Sequence, residues 1–192
     1  MSVYRITIPY GSPMGAAQGR ILRFTAELDC EGAAEARSRG FVIFQELIRS
    51  TGFTCLHQPT ENDLFIEAFD PRGAAPLEMA SLELLPGVYC MSLAGPLDGA
   101  TVLHLEREVH RLQHAGAKSL AIDFAGVHPL SSAGLVVLLT IHDCMDLQLV
   151  RVPPTSRAIL RTLGLDATLV FYSSFPEALK RWKEGSSPPL SN

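Results

Sequence analysis

The chain has 192 residues, with 16 Lys and Arg against 20 Asp and Glu, a formal net charge of −4 and a pI near 5.8. Hydrophobic residues make up 47% and charged residues 19%, which suits a packed core in one ample domain or two small ones. The acidic balance speaks against a general nucleic-acid binder and against adhesion to anionic membranes, both of which need basic surface.

In chain order, residues 3–10 alternate apolar and polar and predict a strand. Gly11-Ser-Pro-Met-Gly-Ala-Ala-Gln-Gly19 is glycine-rich but lacks the Gly-x-x-x-x-Gly-Lys-Ser/Thr form of a phosphate loop, so it reads as a hairpin connection. Residues 20–28 alternate again. Residues 32–50 predict a helix with Phe41, Phe44, Leu47 and Ile48 at helical spacing, interrupted by Gly40 and capped by Gly52. Residues 53–56 and 63–69 read as two closing strands. Asp70-Pro-Arg-Gly-Ala-Ala-Pro76 has the composition of a linker. The first block, residues 1–72, is thus a small β-β-α-β-β N-terminal domain whose role the sequence leaves open.

Residues 82–85 and 88–93 predict strands around a Pro86-Gly87 turn. Asp98 is placed to cap a helix whose Val102, Leu105, Val109 and Leu112 share one face, with Gly116 ending it. Residues 119–124 form a short apolar strand of the type buried mid-sheet. A loop with two serines, an apolar helix over 132–146 and a strand over 148–152 follow. Pro153-Pro154 starts a further helix that runs to Leu163 and is capped by Gly164. A strand at 170–172 and a helix at 175–182, pinned by Phe175 and Trp182, complete the block; residues 184–192 read as a flexible tail. Strands alternating with helices imply an α/β fold with a mostly parallel, mixed sheet, in which the loops leaving the strands carry function.

Cys30, Cys55, Cys90 and Cys144 contain no C-x-x-C pair and are expected to be buried reduced thiols. The longest apolar run, Leu135-Val-Val-Leu-Leu-Thr-Ile141, is too short to span a bilayer. The N-terminus has no signal-peptide core, so membrane insertion is not expected and a cytoplasmic location is.

Four segments of the second block carry a family resemblance in order and spacing. They are Leu93-Ala-Gly-Pro-Leu-Asp98, Leu120-Ala-Ile-Asp-Phe-Ala-Gly-Val127, Leu130-Ser-Ser-Ala-Gly-Leu135 and Ile159-Leu-Arg-Thr-Leu-Gly-Leu165. They resemble the Leu-x-Gly-x-Leu-Asp, Val-x-Leu-Asp-Leu-x-x-Val, Ile-Asp-Ser-Ser-Gly-Leu and Leu-x-x-x-Gly-Leu segments of STAS domains, the anti-sigma factor antagonists. The resemblance covers roughly residues 80–183 and sets the second domain at 78–183. It implies a domain without catalysis of its own that binds an anti-sigma factor with serine kinase activity, of the switch-kinase type. Phosphorylation of one serine breaks that complex, and by position this serine is Ser132. The family's Asp is Ser131 here, and its next serine is Ala133. Ser131 is therefore the alternative acceptor.

Each candidate also has a plain structural reading. Ser132 is a phospho-switch or a helix N-cap. Asp98, beyond capping its helix, borders the expected partner surface together with His128, Ser131, Ser132, Gly134 and Leu135. Glu106, His110 and His114 fall at i, i+4 and i+8 but lack a matching third ligand geometry, so they read as a solvated helix face and no metal site is expected. Asp123 ends a strand without a base–nucleophile set and reads as a loop brace. The leading expectation is a cytoplasmic regulator that is not an enzyme and has no cofactor of its own; any nucleotide belongs to the partner. It binds no nucleic acid, and its N-terminal domain supplies homodimerisation or partner choice. The alternatives are a STAS accessory subunit that binds the ATPase of an ABC-type lipid transporter and, third, an enzyme built around Asp123 and His128.

Overall fold

The computed structural model of the protein describes residues 2–11, 21–52, 59–69 and 77–183. The expected loop at 12–19, strand at 53–56, linker at 70–76 and tail at 184–192 lie outside the described residues, as does Cys55. Among the described residues there are eight strands: β1 (Ser2–Gly11), β2 (Ile21–Cys30), β3 (Phe65–Phe69), β4 (Glu78–Leu85), β5 (Val88–Leu97), β6 (Ser119–Leu130), β7 (Asp146–Val150) and β8 (Val170–Tyr172). The helices are α1 (Ala33–Thr51), α2 (Val102–His114), α3 (Ser132–Cys144), α4 (Pro154–Thr162) and α5 (Phe175–Lys183).

All eight strands join one mixed sheet in the order β3-β1-β2-β4-β5-β6-β7-β8. From β5 to β8 neighbouring strands are parallel, as helical crossovers require. From β3 to β5 they are antiparallel. The two blocks of the sequence meet at β2 and β4, where Phe24 stands opposite Leu82 and Ala26 opposite Ala80.

Side chains alternate across a strand, so the sheet feeds a core layer on each face. On one face Leu105 and Leu112 of α2, Leu138 and Ile141 of α3 and Leu160 of α4 cluster with Met91, Leu120, Ile122, Phe124, Leu147 and Leu149. On the other, Phe44 and Leu47 of α1 and Phe175 and Leu179 of α5 cluster with Ile6, Ile8, Phe24, Leu82, Cys90 and Val150. This second layer draws on both blocks of the sequence. Each fully buried Phe or Leu in it contributes about 2 kcal/mol.

Gly40, an interruption in the sequence pattern, lets α1 lie close against Ile6 of β1. A Cβ there would stand 2.6 Å from Ile6 Cδ1. Tyr10, Phe24 and Phe44 pack as an aromatic group beneath the helix, with ring centroids 5.3–5.5 Å apart. The Tyr10 hydroxyl donates to the Glu83 carbonyl and ties the end of β1 to β4. Gly52 ends α1 in the left-handed conformation, with φ 69°.

On α2, His110 and His114 are exposed and Glu106 is half-buried. The same helix buries Glu108, which accepts from Ser81 Oγ (2.8 Å) and from Arg111 Nε (2.7 Å) and Nη2 (2.5 Å). A buried carboxylate needs such partners. Phe175 is buried under α5, and Trp182 Nε1 donates to Asp146 Oδ2 at 2.5 Å, so both residues hold the last helix to the sheet. Cys30 and Cys90 are buried free thiols. Cys144 departs from expectation and is exposed, because Met145 takes the inward position at the turn from α3 into β7.

Candidate functional site

The site grows from the carboxyl ends of β5 and β6. The expected strand at 119–124 does not stop at Phe124: β6 continues to Leu130, with Ala94 opposite Gly126, Gly95 opposite Val127 and Leu97 opposite Leu130. The pairing is bulged, and glycine permits it. Gly95 has φ 117°, and a Cβ on Gly126 would lie 2.8 Å from the Leu93 carbonyl oxygen. The expected serine loop therefore shrinks to Ser131 alone.

Ser131 caps α3. Its N–H donates to the Leu97 carbonyl (3.0 Å), its Oγ accepts from Gly134 N (3.3 Å) and its carbonyl accepts from Leu135 N (3.1 Å). The helix-cap role considered for Ser132 thus belongs to Ser131. A serine there satisfies the same first-turn donor that an aspartate would. Ser132 is the first residue of α3; it is exposed, and its hydroxyl makes no hydrogen bond among the described residues.

Gly134 and Leu135, expected on the partner surface, are both buried. A Cβ on Gly134 would stand 2.7 Å from the Leu97 carbonyl oxygen, 2.9 Å from Leu97 Cγ and 3.0 Å from Leu130 Cδ1. These two residues seat the helix mouth on the sheet rather than present a face to solvent.

Asp98 directly follows Leu97, so its turn lies beside the mouth of α3. Its Oδ1 accepts from Ala100 N (2.9 Å) and Thr101 N (3.2 Å), and its carbonyl accepts from Val102 N (3.0 Å). Asp98 caps the turn that leads into α2, while buried Thr101 flanks the helix and donates from Oγ1 to the Pro96 carbonyl (2.8 Å). His128 is exposed near the end of β6 and precedes Pro129 through a cis peptide bond.

The structure adds two residues that the sequence reading missed. Val136 on α3 and Leu103 on α2 are 62% and 55% exposed, on helices that pack side by side. Ser132, Val136 and Thr140 line one exposed helical face at i, i+4 and i+8. Placing the apolar run 135–141 on a helical wheel separates these positions from Leu138 and Ile141, which turn inward. Leu103 carries no such signal, since it sits beside the buried Val102.

Asp123 is 4% exposed and points to the opposite face of the sheet, toward α1. Its carboxylate takes both arms of the Arg151 guanidinium, Nε to Oδ1 at 3.0 Å and Nη2 to Oδ2, and Ala125 N donates to Oδ1 at 3.0 Å. Asp123, expected to end its strand and brace the loop, lies within β6 instead, and ties that strand to the residue that follows β7. The carboxylate raises the pKa of Arg151. Arg151 is a third residue the sequence reading missed; 28 positions separate it from Asp123. Among the described residues no hydrogen bond joins Asp123 to His128. Nor do three His, Cys, Asp or Glu side chains gather there as a metal site. No described helix is long and apolar enough to cross a membrane.

Comparison with known proteins gives the following. A solved anti-sigma factor antagonist from Mycobacterium paratuberculosis is similar at 26% identity over 55% of this chain and 94% of that one, with a TM-score of 0.49. The anti-sigma factor antagonist SpoIIAA in its unphosphorylated form is similar at 15% identity over 55% of this chain and 96% of that one, with a TM-score of 0.46. The Bacillus cell fate determinant SpoIIAA in its phosphorylated form is similar at 18% identity over 52% and 95%, with a TM-score of 0.42. No curated protein matches the sequence. The STAS domain family model matches residues 79–178, from β4 into α5, which is more than half of the 192 residues, and the chain belongs to the STAS domain family.

Proposed function

We propose that the protein is a regulator without catalytic chemistry of its own. It binds an anti-sigma factor with serine kinase activity at the mouth of α3, and phosphorylation of Ser132 releases that partner. The observation that carries this reading is the division of labour between the two serines. Ser131 Oγ is committed to the Gly134 N–H, whereas the Ser132 hydroxyl is exposed and uncommitted at the first position of the helix.

A phosphate on Ser132 would be well tolerated within this chain. It would sit at the positive end of the α3 dipole, near first-turn N–H groups that the helix itself leaves unpaired. Its penalty would fall on the partner. A surface packed over Val136 and the Asp98 turn would meet an added charge of about −1.5 to −2 at its centre. The penalty is largest where the partner sets acidic or apolar surface against Ser132, since basic surface there would instead gain from the phosphate.

The test is affinity capture from native lysate with wild type, Ser132→Ala and Ser132→Glu as baits, read by mass spectrometry. The captured kinase is then incubated with ATP and the protein, and the phosphopeptide is mapped. The expected result is an ATPase-fold kinase held by wild type and Ser132→Ala, lost with Ser132→Glu, that places phosphate on Ser132 and not on Ser131. Identical partners on all three baits, with a transport ATPase among them, would overturn the switch and make the chain an accessory subunit.

A further inference from the structure

On the face of the sheet away from α3, a cleft of about 350 Å³ opens between α1, the middle of β5 and β6 and the carboxyl end of β7. Ile43, Glu46, Leu47, Arg49 and Ser50 line it from α1, and Ser92, Asp123 and Arg151 from the sheet. The volume is at the lower end of the range for small-molecule pockets.

Two further features set this cleft apart from an incidental groove. The first is Arg151, whose backbone is held at φ 52°, a left-handed conformation uncommon for a residue with a side chain. Its N–H donates to the Tyr172 carbonyl at 3.0 Å, and buried Asp123 grips the inner edge of its guanidinium. Strain of this kind clusters at functional sites. The grip leaves the outer N–H groups of Arg151 directed away from Asp123, on a side chain that is still half exposed. The second is a set of uncommitted polar groups around it. Arg49 is exposed and its guanidinium has no partner among the described residues; the Ser92 hydroxyl is also unbonded.

We propose that this cleft binds a small organic oxyanion, a phosphate ester or a carboxylate, between Arg49 and Arg151. Guanidinium groups match the paired oxygens of such anions. Asp123 takes the Nε and Nη2 edge of Arg151 and offsets its charge, so Arg151 meets the anion through its remaining N–H groups and Arg49 through its full charge. Ile43 and Leu47 supply an apolar wall for the carbon body of the ligand. Glu46 takes a hydroxyl or amino group beside the anion and repels a bare anion. The residues of α1 precede those matched by the STAS model, so half of this site belongs to this chain's own N-terminal block.

The test is an NMR titration of the backbone amides of the full chain at constant ionic strength. Inorganic phosphate, glycerol 3-phosphate and succinate are the three probes. The expected result is saturable shifts at residues 46–50, 92, 123–125 and 151, tighter for an organic probe than for inorganic phosphate. Arg49→Gln should weaken the best probe at least tenfold, Glu46→Gln should tighten inorganic phosphate, and Arg107→Gln, on the opposite face, should change neither. Arg49 and Glu46 are exposed, so unchanged melting temperatures will confirm that these variants fold. Shifts spread evenly over the exposed arginines, affinities indifferent to Arg49→Gln, or no saturation with any probe would overturn the proposal.

Discussion

Replacing Gly134 with alanine tests whether the mouth of α3 is held in place by its contact with β5. The added methyl would lie 2.7 Å from the Leu97 carbonyl oxygen, 2.9 Å from Leu97 Cγ and 3.0 Å from Leu130 Cδ1. The Leu130 methyl can swing aside. The Leu97 carbonyl cannot, because it accepts the Ser131 N–H at 3.0 Å and Leu97 is fully buried. The helix must therefore back away by several tenths of an ångström and carry Ser131 and Ser132 with it. Overpacking of this kind costs about 1–3 kcal/mol. Exchanging glycine for alanine within a helix returns about 1 kcal/mol. The expected net loss is up to about 2 kcal/mol, or up to roughly 8 °C in melting temperature for a chain of this size. Urea denaturation followed by circular dichroism measures it. A Gly134→Ala protein more stable than wild type by about 1 kcal/mol, the full helix-propensity gain, would show that α3 is not seated on Leu97 as argued.

Four other outcomes follow from the packing and the hydrogen bonds. Gly40→Ala brings its methyl to 2.6 Å from Ile6 Cδ1, so Ile6→Val, which deletes that atom, should cost less in the Gly40→Ala background than alone; a double-mutant cycle should give a coupling of at least about 0.5 kcal/mol, and strict additivity would refute the contact. Ser131→Ala should lose about 1 kcal/mol of stability through its cap, whereas Ser132→Ala should stay within about 0.5 kcal/mol; the reverse ranking in denaturant melts would reassign the cap. Arg151→Ala and Arg151→Gly both delete the ion pair, but glycine accepts φ 52°, so the glycine variant should be the more stable by about 1 kcal/mol. Glu177 is held below the usual carboxylate range by the Ser173 hydroxyl and N–H, so its contribution is present above the unfolded-state pKa and fades as pH falls through the lower folded value. Its NMR titration midpoint should rise in Ser173→Ala, and an unmoved midpoint would remove the hydroxyl from that account.

Most helix boundaries were legible because their causes are local. Pro153-Pro154 opens α4, and Gly52, Gly116 and Gly164 adopt the positive φ that ends or follows a helix. The family segments were legible too, and they lie on the end of β5, on β6, on the start of α3 and on α4. The length of β6 was not, because residues 125–130 stay in the sheet only through bulged pairing with β5, which is 30 or so positions earlier. Nor was the choice between adjacent serines. Either can cap a helix by composition, and the Leu97 carbonyl that receives Ser131 N–H decides it.

By itself the sequence determined the element types, the apolar faces and the family, since periodicity, turn residues and motif spacing are properties of neighbouring residues. Only the tertiary structure decided that β1, β2 and β3 extend the sheet of the STAS domain, that Gly134 and Leu135 face inward while Ser132 and Val136 face out, and that Asp123 meets Arg151 across a cleft walled by α1. Each of these depends on a partner distant in the chain. Strand pairing, close glycine contacts and buried ion pairs form between surfaces that only folding brings together.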